Sequence, residues 1–199
     1  MRGSLFSENI LSSIGNLSLF QYYASLSLLC FLLMNGLNYG YLYAPNDKSV
    51  EHRLRFIGIS NIKISLTKII ILSSSLWIFS IIVYLLGILL SKQMNLSLLT
   101  FDLGIFIKLI PVLFSIATYI HWTYILSGKR NQGGILLFFA NLFMIICSGG
   151  IIPLAYMPKV IGSIGRYLPF SFCNKYIAKT VFENLSAKDV LVTLFISLI

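Results

Sequence analysis

The sequence predicts an all-α fold, a polytopic bundle of membrane helices. Hydrophobic residues form 57% of the 199-residue chain and charged residues only 11%, whereas soluble domains carry about 25% charged residues. Apolar runs of about twenty residues, the length that crosses a bilayer core, alternate with short polar or basic links. The net charge of +9 is spread over these links, which suits anionic lipid headgroups better than nucleic acid.

The apolar runs give the expected spans of this bundle. We expect spans at residues 17–43, 69–90, 103–126, 134–154 and 190–199, after a polar N-terminal segment at 1–16. Pro111 is expected to kink the third span, because proline lacks the amide hydrogen of the helical ladder. The last run stops after ten residues, which reach only about 15 Å as a helix. We therefore expect the last span to be cut short.

The densest charged segment, residues 45–68, holds five of the fifteen Lys and Arg residues and lies between the first two spans. Its apolar positions recur at i, i+4 and i+7 as one stripe: Val50, Leu54 and Ile57. Glu51 and Arg55 are spaced to pair on the opposite side. The pattern predicts a short amphipathic helix over 48–60 at the membrane surface; a solvated basic loop that only fixes topology is the alternative.

A second amphipathic segment covers residues 157–170. Pro158 suits a first helical turn and Pro169 a stop, and Gly162 and Gly165 permit close packing. At about 17 Å such a helix is too short to span a bilayer core. We interpret it as an interfacial or re-entrant helix. Counted over short loops, Lys and Arg place 45–68 and the basic link 127–133 in the cytoplasm.

Several kinds of chemistry find no support in the sequence. Lys129 follows a glycine, but Thr123 and Arg130 occupy positions where a phosphate-binding loop needs Gly and Ser or Thr. His52 and His121 have no carboxylate or cysteine at ligand spacing. No carboxylate lies deep in a span, which argues against proton-coupled transport and intramembrane proteolysis. We expect no catalytic residue, metal ligand or cofactor.

Three motifs carry a family resemblance. The first is QYYA at 21–24, a tyrosine-rich opening of the first span. The second is the series RL at 53–54, GIS at 58–60 and TK at 67–68. The third is SGGIIP at 148–153 followed by MP at 157–158 and LPF at 168–170. Together they resemble the ABC-2 family of ATP-binding cassette exporter permeases, over about residues 17–199.

The sequence departs from that family's pattern at several positions. The family's Gly-Thr before the second motif is Ser49-Val50 here, and its Pro and Gly within the motif are Gly58 and Thr67. Members have six spans, so the resemblance implies that the first helix is missing and that the chain stops inside the sixth.

The resemblance implies a transmembrane subunit of an exporter in the bacterial cell membrane, with an extracellular re-entrant hairpin. It would pair with a second permease, as a homo- or heterodimer, and with a cytoplasmic ATPase that hydrolyses the ATP. The residues implied in coupling to that ATPase are Val50, Glu51, Arg53, Leu54, Phe56, Ile57 and Lys68. Those implied in a re-entrant gate are Gly149, Gly150, Pro153, Pro158 and Pro169.

The substrate class remains open among an amphipathic drug, a peptide antibiotic, a lipid-like molecule and a polysaccharide. Aromatic side chains that could offer it a surface are Tyr22, Tyr23, Trp77 and Tyr119. The alternative function is a membrane interaction protein that transports nothing, or an inactive fragment of a longer permease.

Overall fold

The computed structural model describes residues 19–43, 45–93, 103–127, 130–148 and 157–182. Within these ranges the regular structure is helical and contains no strand, which confirms the all-α prediction. The elements are α1 (Leu19–Asn35), a 3₁₀ segment (Gly36–Tyr43), α2 (Pro45–Phe56), α3 (Asn61–Gln93), α4 (Leu103–Lys108), α5 (Ile110–Ser127), α6 (Arg130–Cys147), α7 (Lys159–Tyr167) and α8 (Pro169–Phe182). The predicted segments 1–16 and 190–199 lie outside the described residues.

Two of the described helices are long and apolar enough to cross a membrane. They are α3, over Asn61–Leu89, with a mean hydropathy of 2.4, and α5, with 1.3. The predicted second span, 69–90, is therefore the central part of a longer helix. The predicted span 134–154 begins earlier, because α6 takes in the end of the basic link from Arg130.

The predicted first span, 17–43, is not a single α-helix. It is α-helical to Asn35 and continues as a 3₁₀ helix from Gly36. A Cβ at Gly36 would lie 2.6 Å from Ile120 Cδ1, so glycine allows the chain to approach α5 closely here. Hydropathy does not detect this change, because the apolar run continues through it.

Side chains from other helices bind carbonyl groups near this change of helix type. The Tyr124 hydroxyl donates to the carbonyls of Gly36 at 3.4 Å and Leu37 at 3.3 Å. The buried Asn141 donates its Nδ2 to the Leu33 carbonyl at 3.2 Å. Backbone groups freed from the α-helical ladder need such partners in an apolar environment.

Helix α5 occupies the centre of the bundle, where it contacts α1, the 3₁₀ segment, α3, α6 and α8. Its buried residues are Val112, Leu113, Ser115, Ile116, Ala117, Thr118, Ile120, His121, Thr123 and Tyr124. They extend around most of the helix rather than along one stripe. This burial includes His121, which has no carboxylate or cysteine at ligand spacing in the sequence.

The predicted third span, 103–126, is divided into α4 and α5 at Leu109. This break lies two residues before Pro111, in agreement with the predicted effect of that proline. Helix α4 is fixed through its backbone: Trp77 Nε1 donates to the Phe106 carbonyl at 2.9 Å, and the Tyr176 hydroxyl donates to the Lys108 carbonyl at 2.7 Å. The Lys108 side chain is exposed, and a lysine near the end of a span can extend its amine towards the lipid headgroups.

Candidate functional site

The candidate coupling site is built on α2, which begins and ends earlier than the predicted helix 48–60. Its last turn is closed by two bonds: the Gly58 amide donates to the Arg55 carbonyl at 2.9 Å, and the Ile59 amide donates to the Leu54 carbonyl at 3.0 Å. Gly58 has a φ of +86°, the left-handed conformation of a Schellman cap. Proline, which the ABC-2 pattern has here, cannot adopt this φ.

The segment after this cap is the start of α3 rather than a polar link. Ser60 precedes the helix, and its Oγ lies 3.5 Å from the Lys63 amide. Thr67 Oγ1 donates to the Lys63 carbonyl at 2.9 Å, within the same helix. Helix α3 then continues without interruption to Gln93. A force applied near Lys68 therefore acts on one continuous helix.

Glu51 of α2 and Lys68 of α3 form an ion pair. The Lys68 Nζ lies 2.5 Å from Glu51 Oε1, and the two side chains are 16% and 25% exposed respectively. The predicted pair between Glu51 and Arg55 is absent among the described ion pairs, and Arg55 is exposed. The observed pair joins two helices, whereas the predicted one would have stabilised α2 alone.

The apolar residues of α2 do not form the predicted stripe. Leu54 is half-buried, and Ile57 lies in the turn after the helix. The exposed apolar side chains are Val50 at 52%, Phe56 at 89% and Ile57 at 77%. We call these three residues the α2 apolar patch. Arg53, also predicted for coupling, is exposed.

The predicted gate region contains two consecutive helices, α7 and α8, which are joined at Leu168 and are together called the hairpin below. The Leu168 amide donates to the Gly165 carbonyl at 3.3 Å, and the Ser171 hydroxyl donates to the same carbonyl at 2.5 Å. Gly162 and Gly165 are buried in α7, as expected for close packing. Pro158 and Pro169 are exposed at the starts of α7 and α8. Gly149, Gly150 and Pro153 lie outside the described residues.

Sequence reasoning missed α8. Pro169 ends α7 as predicted but also begins α8, where a proline is favoured at the first helical position. Buried Phe170, Cys173 and Ile177 recur at i, i+3 and i+7, which is a helical signal. Buried Asn174 accepts a hydrogen bond from the Ser25 hydroxyl of α1 at 3.1 Å. The helical spacing of Phe170, Cys173 and Ile177 was the sequence signal that could have predicted α8.

A half-open cavity of about 620 Å³ lies where α1, α5 and α6 meet the hairpin tip. Its wall comprises Leu29, Leu33, Ser115, Ile116, Thr118, Tyr119, Trp122, Leu126, Met144, Tyr167, Pro169, Phe170, Phe172 and Cys173. Of the predicted aromatic surface, Tyr119 belongs to this wall. Trp77 instead bonds to α4, Tyr23 is exposed on α1, and the Tyr22 side chain is not among those described.

Metal-binding geometry does not occur in the described part of the chain, where no three His, Cys, Asp or Glu side chains come together. No family model, curated protein or solved structure matches this chain. Function is therefore inferred from the α2–α3 junction and the cavity.

Proposed function

We propose that the chain is the permease subunit of an ATP-driven ABC exporter, which moves an amphipathic substrate across a bacterial cell membrane. The observation that supports this proposal is the α2–α3 junction. A short helix and the turn that follows it present the α2 apolar patch outward, while Glu51 of the helix is ion-paired to Lys68 near the beginning of α3. Such a helix is suited to helix-in-groove recognition by a second protein.

In this proposal a cytoplasmic ATPase receives the α2 apolar patch in a groove. Closure of the ATPase on ATP displaces α2, and the Glu51–Lys68 pair transmits the displacement to α3. Because α3 is one helix of 33 residues, it spans about 50 Å and tilts as a unit. The hairpin of α7 and α8 gates the cavity, since its tip contributes Tyr167, Pro169 and Phe170 to the wall.

A second permease, identical or related, completes the proposed exporter. ATP hydrolysis takes place on the separate ATPase subunits. The exposed surface of α3 carries apolar residues along its length and around much of the helix, such as Ile62, Ile70, Ile78 and Leu89. This surface suits contact with lipid tails or with the apolar helices of the second permease.

The first experiment tests the partner. The tagged chain is purified from membranes of its native cell, and the ATPase activity recovered per chain is measured. Phe56→Ala removes the most exposed residue of the α2 apolar patch. We expect it to weaken ATPase association about thirtyfold, because truncation of a good anchor costs about 2 kcal/mol. Phe139→Ala, which removes a 62% exposed ring from α6, is the matched control and should leave recovery unchanged.

The second experiment tests the ion pair as a transmission element. Glu51→Lys and Lys68→Glu should each uncouple ATP hydrolysis from transport, because each leaves two like charges at the α2–α3 junction. The double variant restores opposite charges and should recover coupling. ATPase recovery equal to wild type in Phe56→Ala, together with no rescue by the charge swap, would exclude the proposal. It would favour a membrane protein that transports nothing.

A further inference from the structure

The cavity has the dimensions of a ligand site. Its volume of about 620 Å³ lies within the range of about 300–1,000 Å³ that is usual for such sites. It is roughly four times the ~150 Å³ cavity that accommodates one benzene ring. By that measure it holds roughly twenty-five carbon atoms. This is enough for one long alkyl chain.

The inner wall is aliphatic and buried. Leu29, Leu33 and Ile116 are at most 4% exposed. Among the described residues the wall contains no charged side chain. The buried hydroxyls of Ser115 and Thr118 donate within α5, to the carbonyls of Pro111 at 3.0 Å and Phe114 at 2.8 Å. The hydrocarbon part of a ligand would therefore contact no charged group and no unpaired Ser115 or Thr118 hydroxyl on this wall.

Tyr119 adds a buried hydroxyl to the wall, next to the Thr123 side chain. Its buried hydroxyl makes no hydrogen bond of normal geometry within the described part of the chain. Thr123, one turn further along, donates its own hydroxyl to the Tyr119 carbonyl at 2.8 Å. A buried hydroxyl whose hydrogen bonding is incomplete is costly, and a ligand that completes it removes that cost.

The mouth of the cavity opens on an apolar part of the surface. Trp122, Leu126 and Tyr167 are 52%, 77% and 81% exposed, and neighbouring Ile125 is 45% exposed. Trp and Tyr are typical of the boundary between a bilayer core and its headgroups. A molecule dissolved in the bilayer therefore reaches this mouth sideways, without passing through water.

From these features we infer that the cavity binds a single-chain uncharged amphipath, meaning a long alkyl chain that ends in a hydroxyl or similar hydrogen-bonding group. The alkyl chain of the ligand lies against Leu29, Leu33 and Ile116, and the polar end of the ligand bonds to Tyr119. That such a molecule is also the exported substrate rests on the proposed function. Binding to the cavity requires no ATP and no partner. An experiment can therefore contradict the binding inference without contradicting the proposed export function, and the reverse.

The test uses the whole chain in nanodiscs of diacyl phosphatidylcholine. The probe is 1-hexadecanol carrying a photoactivatable diazirine on its chain, and the adducts are located by peptide mass spectrometry. We expect saturable labelling on α1, α5 and the hairpin, and competition by unlabelled 1-hexadecanol. The surrounding diacyl lipid, present in large excess, should not abolish labelling. Non-saturable labelling spread over the exposed side of α3 would overturn the inference.

Two variants with matched controls probe the site. Thr118→Phe places a ring in the cavity and should lower labelling at least tenfold. Thr67→Phe is its control, because Thr67 also donates to the carbonyl four residues earlier but lies on the exposed side of α3. Labelling that persists in folded Thr118→Phe contradicts the assigned site.

Tyr119→Phe removes one hydroxyl and retains the ring, so the fold is preserved. It should weaken binding of the hexadecanol probe about fivefold, the effect of one hydrogen bond. A diazirine probe built on hexadecane, which has no hydroxyl, should bind wild type and variant equally. Tyr23→Phe, at a residue outside the cavity wall, should change the binding of neither the hexadecanol probe nor the hexadecane probe. Equal binding of the hexadecanol probe to wild type and Tyr119→Phe would overturn the role of Tyr119.

Discussion

The two helices that are long and apolar enough to span a membrane, α3 and α5, have opposite surroundings. The most apolar window of α3 has a mean hydropathy of 2.4 and is 28% buried, whereas α5 has a hydropathy of 1.3 and is 56% buried. The less apolar helix is therefore the central one. In a bilayer, apolar side chains facing outward cost nothing, while polar side chains must face other helices.

The polar residues of α5 illustrate this point. Ser115, Thr118, His121 and Thr123 are all buried. In α3, by contrast, only Ser80 is buried among the polar residues of its apolar part, whereas Ser74 is exposed, and the Ser74 hydroxyl bonds to the Ile71 carbonyl of the same helix at 3.0 Å. Polar residues within an apolar run therefore indicate the packed helix, provided that they recur on several faces.

The largest expected difference between the two helices concerns aliphatic side chains. Leu113→Ala in α5 removes a fully buried side chain and should lower the free energy of unfolding by about 2–4 kcal/mol, because it leaves a cavity. Ile78→Ala in α3, at a residue 56% exposed, should cost less than about 1 kcal/mol. Unfolding by denaturing detergent in bicelles measures both. Equal costs would show that α3 is packed as tightly as α5, against the comparison.

An intermediate effect is expected where α6 meets α5. A Cβ at Gly133 would lie 2.3 Å from Cδ1 of the Tyr124 ring, whereas one at Gly134 would lie 3.9 Å from its nearest neighbour, the Tyr124 hydroxyl. Gly133→Ala should therefore destabilise the protein by about 1–3 kcal/mol through overpacking. Gly134→Ala should be neutral or slightly stabilising, since alanine favours helix. The same unfolding measurement decides, and a neutral Gly133→Ala would mean that Tyr124 can move aside freely.

The sequence predicts the exposed apolar part of the fold better than its packed part. Hydropathy located α3, and Pro111 indicated the break before α5. Hydropathy could not detect α8, because Asn174, Lys175 and Lys179 lower its apolar character although its other face is buried. The spacing of the apolar residues indicated that one face of α8 is buried. Mean hydropathy does not show this, because it averages over both faces of a helix.

The candidate sites were predicted unevenly for a related reason. Glu51 and Lys68 were both predicted for coupling, but their pairing joins residues 17 positions apart on two helices. The spacing along the sequence predicted that Glu51 would pair with Arg55 instead of Lys68. The cavity depends on how α1, α5, α6 and the hairpin pack together, and no local pattern encodes that arrangement. Tyr119 was predicted from its aromatic character alone.

The smallest expected effect tests why the 3₁₀ segment is stable beside α5. Tyr124→Phe removes a hydroxyl that bonds across helices to the carbonyls of Gly36 and Leu37, whereas Ser74→Ala removes one that bonds only within α3. Hydrogen bonds between membrane helices contribute about 0.6 kcal/mol on average, so Tyr124→Phe should lower the free energy of unfolding by about that amount. Ser74→Ala should change it less. Hydrogen exchange at the amides of residues 36–43 gives a second measurement, because loss of the Tyr124 hydroxyl should speed exchange there and leave α3 unaffected. Unchanged exchange in this segment would mean that close packing at Gly36, rather than Tyr124, holds the 3₁₀ helix against α5.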